Sequence, residues 1–95
     1  MILERAEIAV KEGQENGFAE MMEQRGRAIL AAAEGCRSVR TGRGVENPGK
    51  FILLLEWESV DHHMAFTRLP EFQEFRALAG PFFAGPANME HFDVG

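Results

Sequence analysis

An unbroken apolar run at residues 51–55 dominates the hydrophobic pattern of the chain. The run is too short to cross a membrane, which needs about 20 apolar residues. The turn-forming residues 47–49 before it and Ser59 after it predict a β-strand that ends at a helix cap. Side chains of a strand alternate between its faces, so both faces of this strand are predicted to be apolar. One face carries Phe51, Leu53, Leu55 and Trp57, and the other carries Ile52 and Leu54.

A strand and a long helix are predicted before this run. Residues 2–11 alternate between apolar and polar side chains, with Glu4 as the exception on the apolar face. The helix is predicted over residues 15–34, with Gly35 placed for a left-handed C-terminal cap. Its apolar stripe is formed by Phe18, Met21, Met22, Ile29, Ala32 and Ala33. Arg25 falls within this stripe, either with its stem packed and its guanidinium in water or as a cation facing a cavity.

The remaining segments complete a β-α-β-β-α-β order. Residues 36–45 predict a polar strand suited to a sheet edge, and the central apolar strand follows it. Ser59 caps a helix that runs to residue 68, and Pro70 suits the first turn of the next helix, which ends at residue 79. Residues 87–94 predict the last strand. This order is typical of a single-domain ferredoxin-like α+β fold over residues 1–95, an antiparallel sheet with helices on one face only.

The open face of that sheet favours a homodimer. Helices on one side leave Ile52 and Leu54 uncovered on the other side. An exposed apolar patch is a liability in a monomer. We therefore expect two copies to join their sheets face to face.

Composition narrows the class of partner. The formal net charge of −5 argues against nucleic acid or an anionic membrane as the main partner. Cys36 is the only cysteine, so no disulfide can form within the chain, and no Cys/His spacing suggests a metal site. Residues 1–5 interrupt their apolar run with charge, unlike a signal peptide. The sequence thus predicts a cytoplasmic protein without a metal.

His63 is the main candidate for chemistry. It falls on the inward arc of the helix after Ser59, near Phe66 and Trp57, whereas His62 falls at the rim of that arc. An imidazole titrates close to neutral pH, so His63 could serve as a base in an aromatic-lined pocket. The alternative is a histidine at the core edge that only bonds to backbone.

Two further residue types could contact a ligand. Trp57 lies on the strand face assigned to the helices, either as a pocket wall or as a core aromatic with a bonded indole N–H. Arg76 flanks Phe72 on the last helix. It could bind an anionic or phenolic oxygen, or it could be an ordinary surface arginine.

Several segments together resemble one known family. They are residues 13–18 (GQENGF), 46–48 (ENP), 51–57 (FILLLEW), 58–63 (ESVDHH), 70–78 (PEFQEFRAL) and 80–83 (GPFF). In combination they resemble the antibiotic biosynthesis monooxygenase family over nearly the whole chain. The junction in which the strand ends in Trp57 and the next helix begins after Ser59 is the most specific part. The resemblance implies a dimeric α+β barrel, in agreement with the fold predicted from periodicity.

The resemblance also implies a function. Some members oxygenate polycyclic aromatic polyketides or quinols without metal or flavin, so the implied function is a cofactor-independent monooxygenase of a phenol, quinol or polyketide-like substrate. His63 would be the base. The walls of the substrate pocket would be Trp57, Phe66 and Phe72. Arg76 or Arg25 would stabilise developing oxyanion charge.

Two other functions occur as alternatives to this one. One branch of the family degrades haem with a tryptophan on the second helix and a histidine that ligates iron. Phe66 and Arg76 occupy those places here and cannot do either job, which disfavours haem degradation. The remaining alternative is a non-catalytic small-molecule-binding or accessory protein with the same fold.

Overall fold

The computed structural model describes all residues 1–95 as four strands and three helical runs. The elements are β1 (Ile2–Ala9), α1 (Glu15–Met21), a π-helical segment (Met22–Gly26), α2 (Arg27–Ala31), β2 (Cys36–Arg43), β3 (Lys50–Trp57), α3 (Val60–Phe66), α4 (Pro70–Ala79), a 3-10 turn (Gly80–Phe82) and β4 (Asn88–Asp93). The strands form one antiparallel sheet in the order β2-β3-β1-β4. The predicted ferredoxin-like α+β fold is confirmed, and the sheet of the single chain is open.

The central position of β3 explains its apolar pattern. Phe51, Leu53, Leu55 and Trp57 are all buried on the face that carries the helices. Ile52 and Leu54 are half-buried on the opposite face. The predicted division of this strand into two apolar faces is therefore correct, because the helices cover only one of them.

The first helical run differs from the regular helix that the sequence predicts. Its buried residues recur at every fourth position: Phe18, Met22, Gly26 and Leu30. A spacing of four drifts around a helix of 3.6 residues per turn, and the wider π-helical segment corrects the drift. Ala32 is exposed, Ala33 packs at the edge of the core, and the helix ends at Ala31 rather than at residue 34. The same shift places Arg25 among the exposed side chains.

The start of α3 is fixed by local contacts. The Ser59 side chain accepts a hydrogen bond from the His62 backbone N–H at 3.2 Å, which is the predicted N-cap. Gly35 has the predicted left-handed conformation, with a φ of +83°, but it lies in the turn before β2 rather than at the helix end, because the helix ends at Ala31. A Cβ at Gly35 would collide with the His62 ring. His62 therefore packs against the turn before β2, while His63 and Phe66 point into the core.

No element of the chain covers the second face of the sheet. Its apolar members are Leu3, Ile52, Leu54 and Phe92. Charged groups lie among them, and Arg5 contacts Glu7 at 2.8 Å and Glu90 at 3.4 Å. This face therefore mixes apolar patches with paired charges. None of the helices has the length and apolar character needed to cross a membrane.

Candidate functional site

A small apolar cavity lies between the helix-bearing face of the sheet and the helices α3 and α4. Its volume is about 170 Å³. Only three of its lining residues are polar, namely Glu4, His63 and Thr67. Apolar cavities that contain a few convergent polar groups are the usual sites for small molecules. This cavity is therefore the candidate site.

Glu4 is a buried carboxylate at one end of the cavity. Glu4 is only 6% exposed, and its Oε1 accepts a hydrogen bond from the Trp57 indole N–H at 2.9 Å. Burial raises the pKa of the Glu4 carboxyl, while the Trp57 hydrogen bond and the nearby His91 charge act in the opposite direction. Glu4 therefore holds a proton more readily than an exposed glutamate does.

His63 lies against both of these residues. Its ring stacks on Trp57 with 5.1 Å between centroids, and its Nε2 is 3.4 Å from Glu4 Oε1. Its Nδ1 is 2.7 Å from Nε2 of His91, a hydrogen bond between two imidazoles. Burial, and then the charge of His91, lower the pKa of His63 to about 4. His63 is therefore neutral at pH 7 and able to accept a proton.

The sheet register brings these residues together. Glu4 on β1 is directly opposite His91 on β4, and Trp57 on β3 is opposite Ile2. Side chains on neighbouring strands at such positions point to the same face. The Ser59 cap then starts α3 so that His63 lies above them. Four elements from distant parts of the chain thus build one cluster.

The predicted aromatic walls also meet here. The ring of Phe66 lies 6.0 Å from Trp57 and 5.6 Å from Phe72, the latter in an edge-on arrangement. All three residues line the cavity together with His63. The structure therefore brings together four of the six residues that the sequence suggested for the site.

The two arginines lie elsewhere. Arg76 is exposed, with its guanidinium carbon 5.9 Å from the centre of the Phe72 ring, on the outside of the cavity wall. Arg25 is exposed, and its Nη2 lies 3.7 Å from Oε2 of Glu74. Neither residue lines the cavity.

Sequence reasoning did not select two members of the cluster. The sequence contains a signal for Glu4, because it is the single polar residue on the apolar face of the first strand. The burial of Glu4 explains that exception. The sequence contains no such signal for His91, because its strand is mostly exposed and alternates without a clear apolar face. Only the antiparallel pairing of β1 with β4 places it beside Glu4.

His62 and a second concavity do not share this chemistry. The His62 Nδ1 lies 2.7 Å from the Ser59 hydroxyl oxygen, outside the cavity lining. A wider groove of about 520 Å³ runs between the first helical run and β2. One of its arginines, Arg43, is held by the carbonyl of Pro48 and the side chain of Asn16. That groove contains no histidine.

The fold and the cavity define a small ferredoxin-like α+β protein with a buried acid–base cluster, and comparisons with known proteins place it in a family. The profile of the antibiotic biosynthesis monooxygenase family matches residues 1–78. The uncharacterized protein YczJ of Bacillus subtilis (strain 168) is 32% identical over 93 residues, which is 97% of each chain. The chain therefore belongs to the antibiotic biosynthesis monooxygenase family, as its motifs suggested.

Solved structures agree with this assignment. A Bordetella bronchiseptica protein, named as a candidate antibiotic biosynthesis monooxygenase, is 37% identical, with a TM-score of 0.93 over 99% of this chain and 96% of that one. A candidate of the same name from Nitrosomonas europaea has a TM-score of 0.84 at 14% identity, over 99% of this chain and 98% of that one. The second likeness shows the fold alone. The family match ends before β4, so His91 lies outside it.

Proposed function

We propose that this protein is a cofactor-independent monooxygenase that oxidises a phenol or quinol bound in the cavity. The observation that carries the proposal is the pairing of Glu4 with His63 at the end of an aromatic-walled cavity, where their closest atoms are 3.4 Å apart. Family membership is consistent with this reaction class.

For this reaction the protein needs only to bind the substrate and to remove its phenolic proton. A hydroquinone and O₂ together contain the atoms of a hydroxyquinone and one water. One oxygen atom enters the ring, the other leaves as water, and the substrate supplies all the electrons. Loss of the phenolic proton makes the ring electron-rich enough to pass an electron to O₂. The essential group is therefore a base within reach of the substrate hydroxyl.

The Glu4–His63 pair is the proposed proton acceptor. The closest atoms of Glu4 and His63 are 3.4 Å apart, so a proton taken from the substrate can rest on either group. The pKa of His63 near 4 keeps its ring neutral at pH 7, with one ring nitrogen unprotonated. Trp57 holds Glu4 in place through its N–H, and Phe66 and Phe72 complete the walls. Arg76 and Arg25 have no part in this proposal, because they lie outside the lining.

The cavity volume favours a single-ring substrate. An apolar cavity of about 150 Å³ is large enough for benzene, whereas drug-sized ligands occupy roughly 300 Å³ or more. The cavity here measures about 170 Å³. A simple phenol or hydroquinone suits this space better than a polycyclic polyketide.

The second candidate is a binding protein without turnover. The observation in its favour is that both ring nitrogens of His63 already have neighbours, in Glu4 and His91. A cluster of that kind can be purely structural, a set of buried polar groups that satisfy one another.

One experiment separates the two candidates. Trp57 is the only tryptophan and lines the cavity, so its fluorescence reports binding directly. Single-ring phenols and hydroquinones are titrated without O₂, and those that bind are then tested for O₂ uptake. Uptake above the rate of spontaneous oxidation supports the monooxygenase. Quenching without uptake for every bound compound supports the binding protein.

We further propose that the protein works as a homodimer in the cytoplasm. The homodimer rests on the uncovered sheet face, where Leu54 on β3 lies between Arg5 on β1 and Arg40 on β2. Dimerisation of the kind implied by the family resemblance would cover this face. The cytoplasmic location rests on the lone Cys36, a cysteine content that suits a reducing compartment.

A further inference from the structure

We propose that Glu4, His63 and His91 form a proton-transfer chain, in which His91 carries the substrate's proton from the cavity to solvent at the β4 edge of the sheet. This inference rests on the proposed function, because it assigns a route to the proton that the reaction removes. It adds a residue of the last strand to the site.

The three side chains lie in a row, with one hydrogen bond between the two imidazoles and one longer contact between His63 and Glu4. Glu4 and His63 are 6% and 4% exposed, whereas His91 is half-buried on the outermost strand. The contacts run from Glu4 Oε1 to His63 Nε2 at 3.4 Å and from His63 Nδ1 to His91 Nε2 at 2.7 Å. Each step moves outward, from the closed cavity toward water.

The chemistry of imidazole suits the middle position. A neutral ring carries one N–H and one free nitrogen, so it can accept a proton at one side while it releases another at the other side. As His63 Nε2 gains a proton from the Glu4 side, its Nδ1 proton passes to His91 Nε2. His63 is then neutral again in its other tautomer, and His91 releases a proton to water.

The overall reaction returns Glu4, His63 and His91 to their starting protonation states. Oxygenation of a hydroquinone to a hydroxyquinone and water releases no net proton, so protons must come back when water forms. Their passage in reverse restores the first tautomer of His63. In the interval, a proton stored near solvent cannot recombine at once with the phenolate, which stays ionised while it reacts with O₂.

The surroundings of His63 disfavour a lasting positive charge on this inner imidazole. The uncharged Trp57 of β3 stacks on the His63 ring. Burial opposes a positive charge on His63, and the charge of His91 opposes it further. His63 therefore passes a proton on rather than holding it.

The hydrogen-bond partner of His63 also supports a role in proton transfer. A histidine held only for orientation usually donates to a backbone carbonyl or a carboxylate. Here the partner is a second titratable ring. Moreover, the 2.7 Å between the two nitrogens is shorter than the roughly 3.3 Å that separates two nitrogens on one tetrahedral metal with bonds of about 2.0 Å, so the rings bind each other rather than a shared ion.

The test combines His91→Gln with added imidazole. Glutamine keeps a hydrogen-bonding group but cannot relay a proton. His62→Gln, at a histidine outside the cavity lining, is the matched control. From the proposed proton-transfer chain we predict that His91→Gln keeps its ligand affinity, read by Trp57 fluorescence, and loses turnover by about 10²-fold. Free imidazole should restore much of that loss, and it should leave the wild-type and His62→Gln proteins unchanged.

Two results would overturn the inference while leaving the proposed function intact. One is full turnover by His91→Gln across the pH range. The other is lost turnover that imidazole does not restore, which indicates a structural role.

A second readout needs no substrate. Nitrogen-15 NMR of the histidine rings should show one proton shared between His63 Nδ1 and His91 Nε2, and His91→Gln should remove it. If that shared proton is absent, the proposed proton-transfer chain is refuted, whatever the activity. If it is present but no compound is oxidised, the proposed function fails and the relay between the rings stands.

Discussion

The indole N–H of Trp57 donates a hydrogen bond to Glu4 Oε1 across 2.9 Å, and both side chains are buried. This bond ties the end of the central strand to the one carboxylate that faces the cavity. It compensates part of the cost of burying Glu4. The site is therefore part of the core that holds the sheet together, and changes to it affect stability as well as chemistry.

Trp57→Phe should destabilise the protein by about 1–3 kcal/mol beyond the loss of packing, because it leaves a buried carboxyl without its donor. Unfolding in urea followed by circular dichroism measures this effect. The control is Glu4→Leu, which cannot accept the bond, alone and combined with Trp57→Phe. A combined effect equal to the sum of the single effects would show that the bond contributes nothing to stability.

His63→Ala should lower turnover by about 10²–10⁴-fold, the usual share of general acid–base catalysis. His62→Ala is the matched control one position away. Because His62 packs on Gly35 outside the cavity, its loss should cost some thermal stability and leave turnover per folded molecule nearly unchanged. Equal losses of turnover from the two substitutions would contradict the assignment of His63.

Acid should destabilise the protein through His63. Its pKa is about 4 in the folded state against 6.5 for the ordinary group, so between these values the unfolded chain binds more protons. The free energy of unfolding should therefore fall as pH drops from about 6.5 to about 4, by roughly 3 kcal/mol for the full shift.

His63→Gln should remove most of that dependence, with His62→Gln as the control. The raised pKa of Glu4 acts with the opposite sign, since it favours the folded state at low pH, and it is common to both variants. Urea unfolding at several pH values gives the slopes. An unchanged slope in His63→Gln would place the acid sensitivity on another group.

Leu54→Glu should dissociate the proposed homodimer without unfolding the chain. In the single chain the new carboxylate would sit between Arg5 and Arg40, which can pair with it, whereas a face-to-face interface would bury it. Light scattering during size exclusion measures the mass. Val45→Glu is the control, since Val45 is 88% exposed in a turn. A wild-type monomer at micromolar concentration would refute the dimer.

Much of the fold was predictable because its signals are local. The two-sided apolar strand and the Ser59 cap each depend on a few neighbouring residues, and both are confirmed. Gly35 has the expected left-handed backbone but lies in the turn after the helix rather than at its end. The predicted apolar stripe of the first helix was partly wrong, because a π-helical segment shifts its face after Met22. A pattern of 3.6 residues per turn cannot anticipate such a segment.

The site was less predictable because it is assembled from four elements. The inward position of His63 followed from helical geometry, and Glu4 was visible as an exception to the strand pattern. The approach of His91 depends on the pairing of the first strand with the last, which no local signal encodes. Only His63 and Phe66 on α3 reach the core, whereas Val60 and Met64 are exposed.

The most direct test of the central claim is the fate of labelled oxygen. The metal-free protein is incubated under ¹⁸O₂ with a single-ring hydroquinone that quenches Trp57, and the product is analysed by mass spectrometry. We predict one labelled oxygen atom in each product ring, one O₂ consumed per substrate, and loss of this labelling in His63→Ala. Spontaneous oxidation instead gives unlabelled quinone and hydrogen peroxide. If every compound that binds gives only that outcome, the protein is not a monooxygenase of this class.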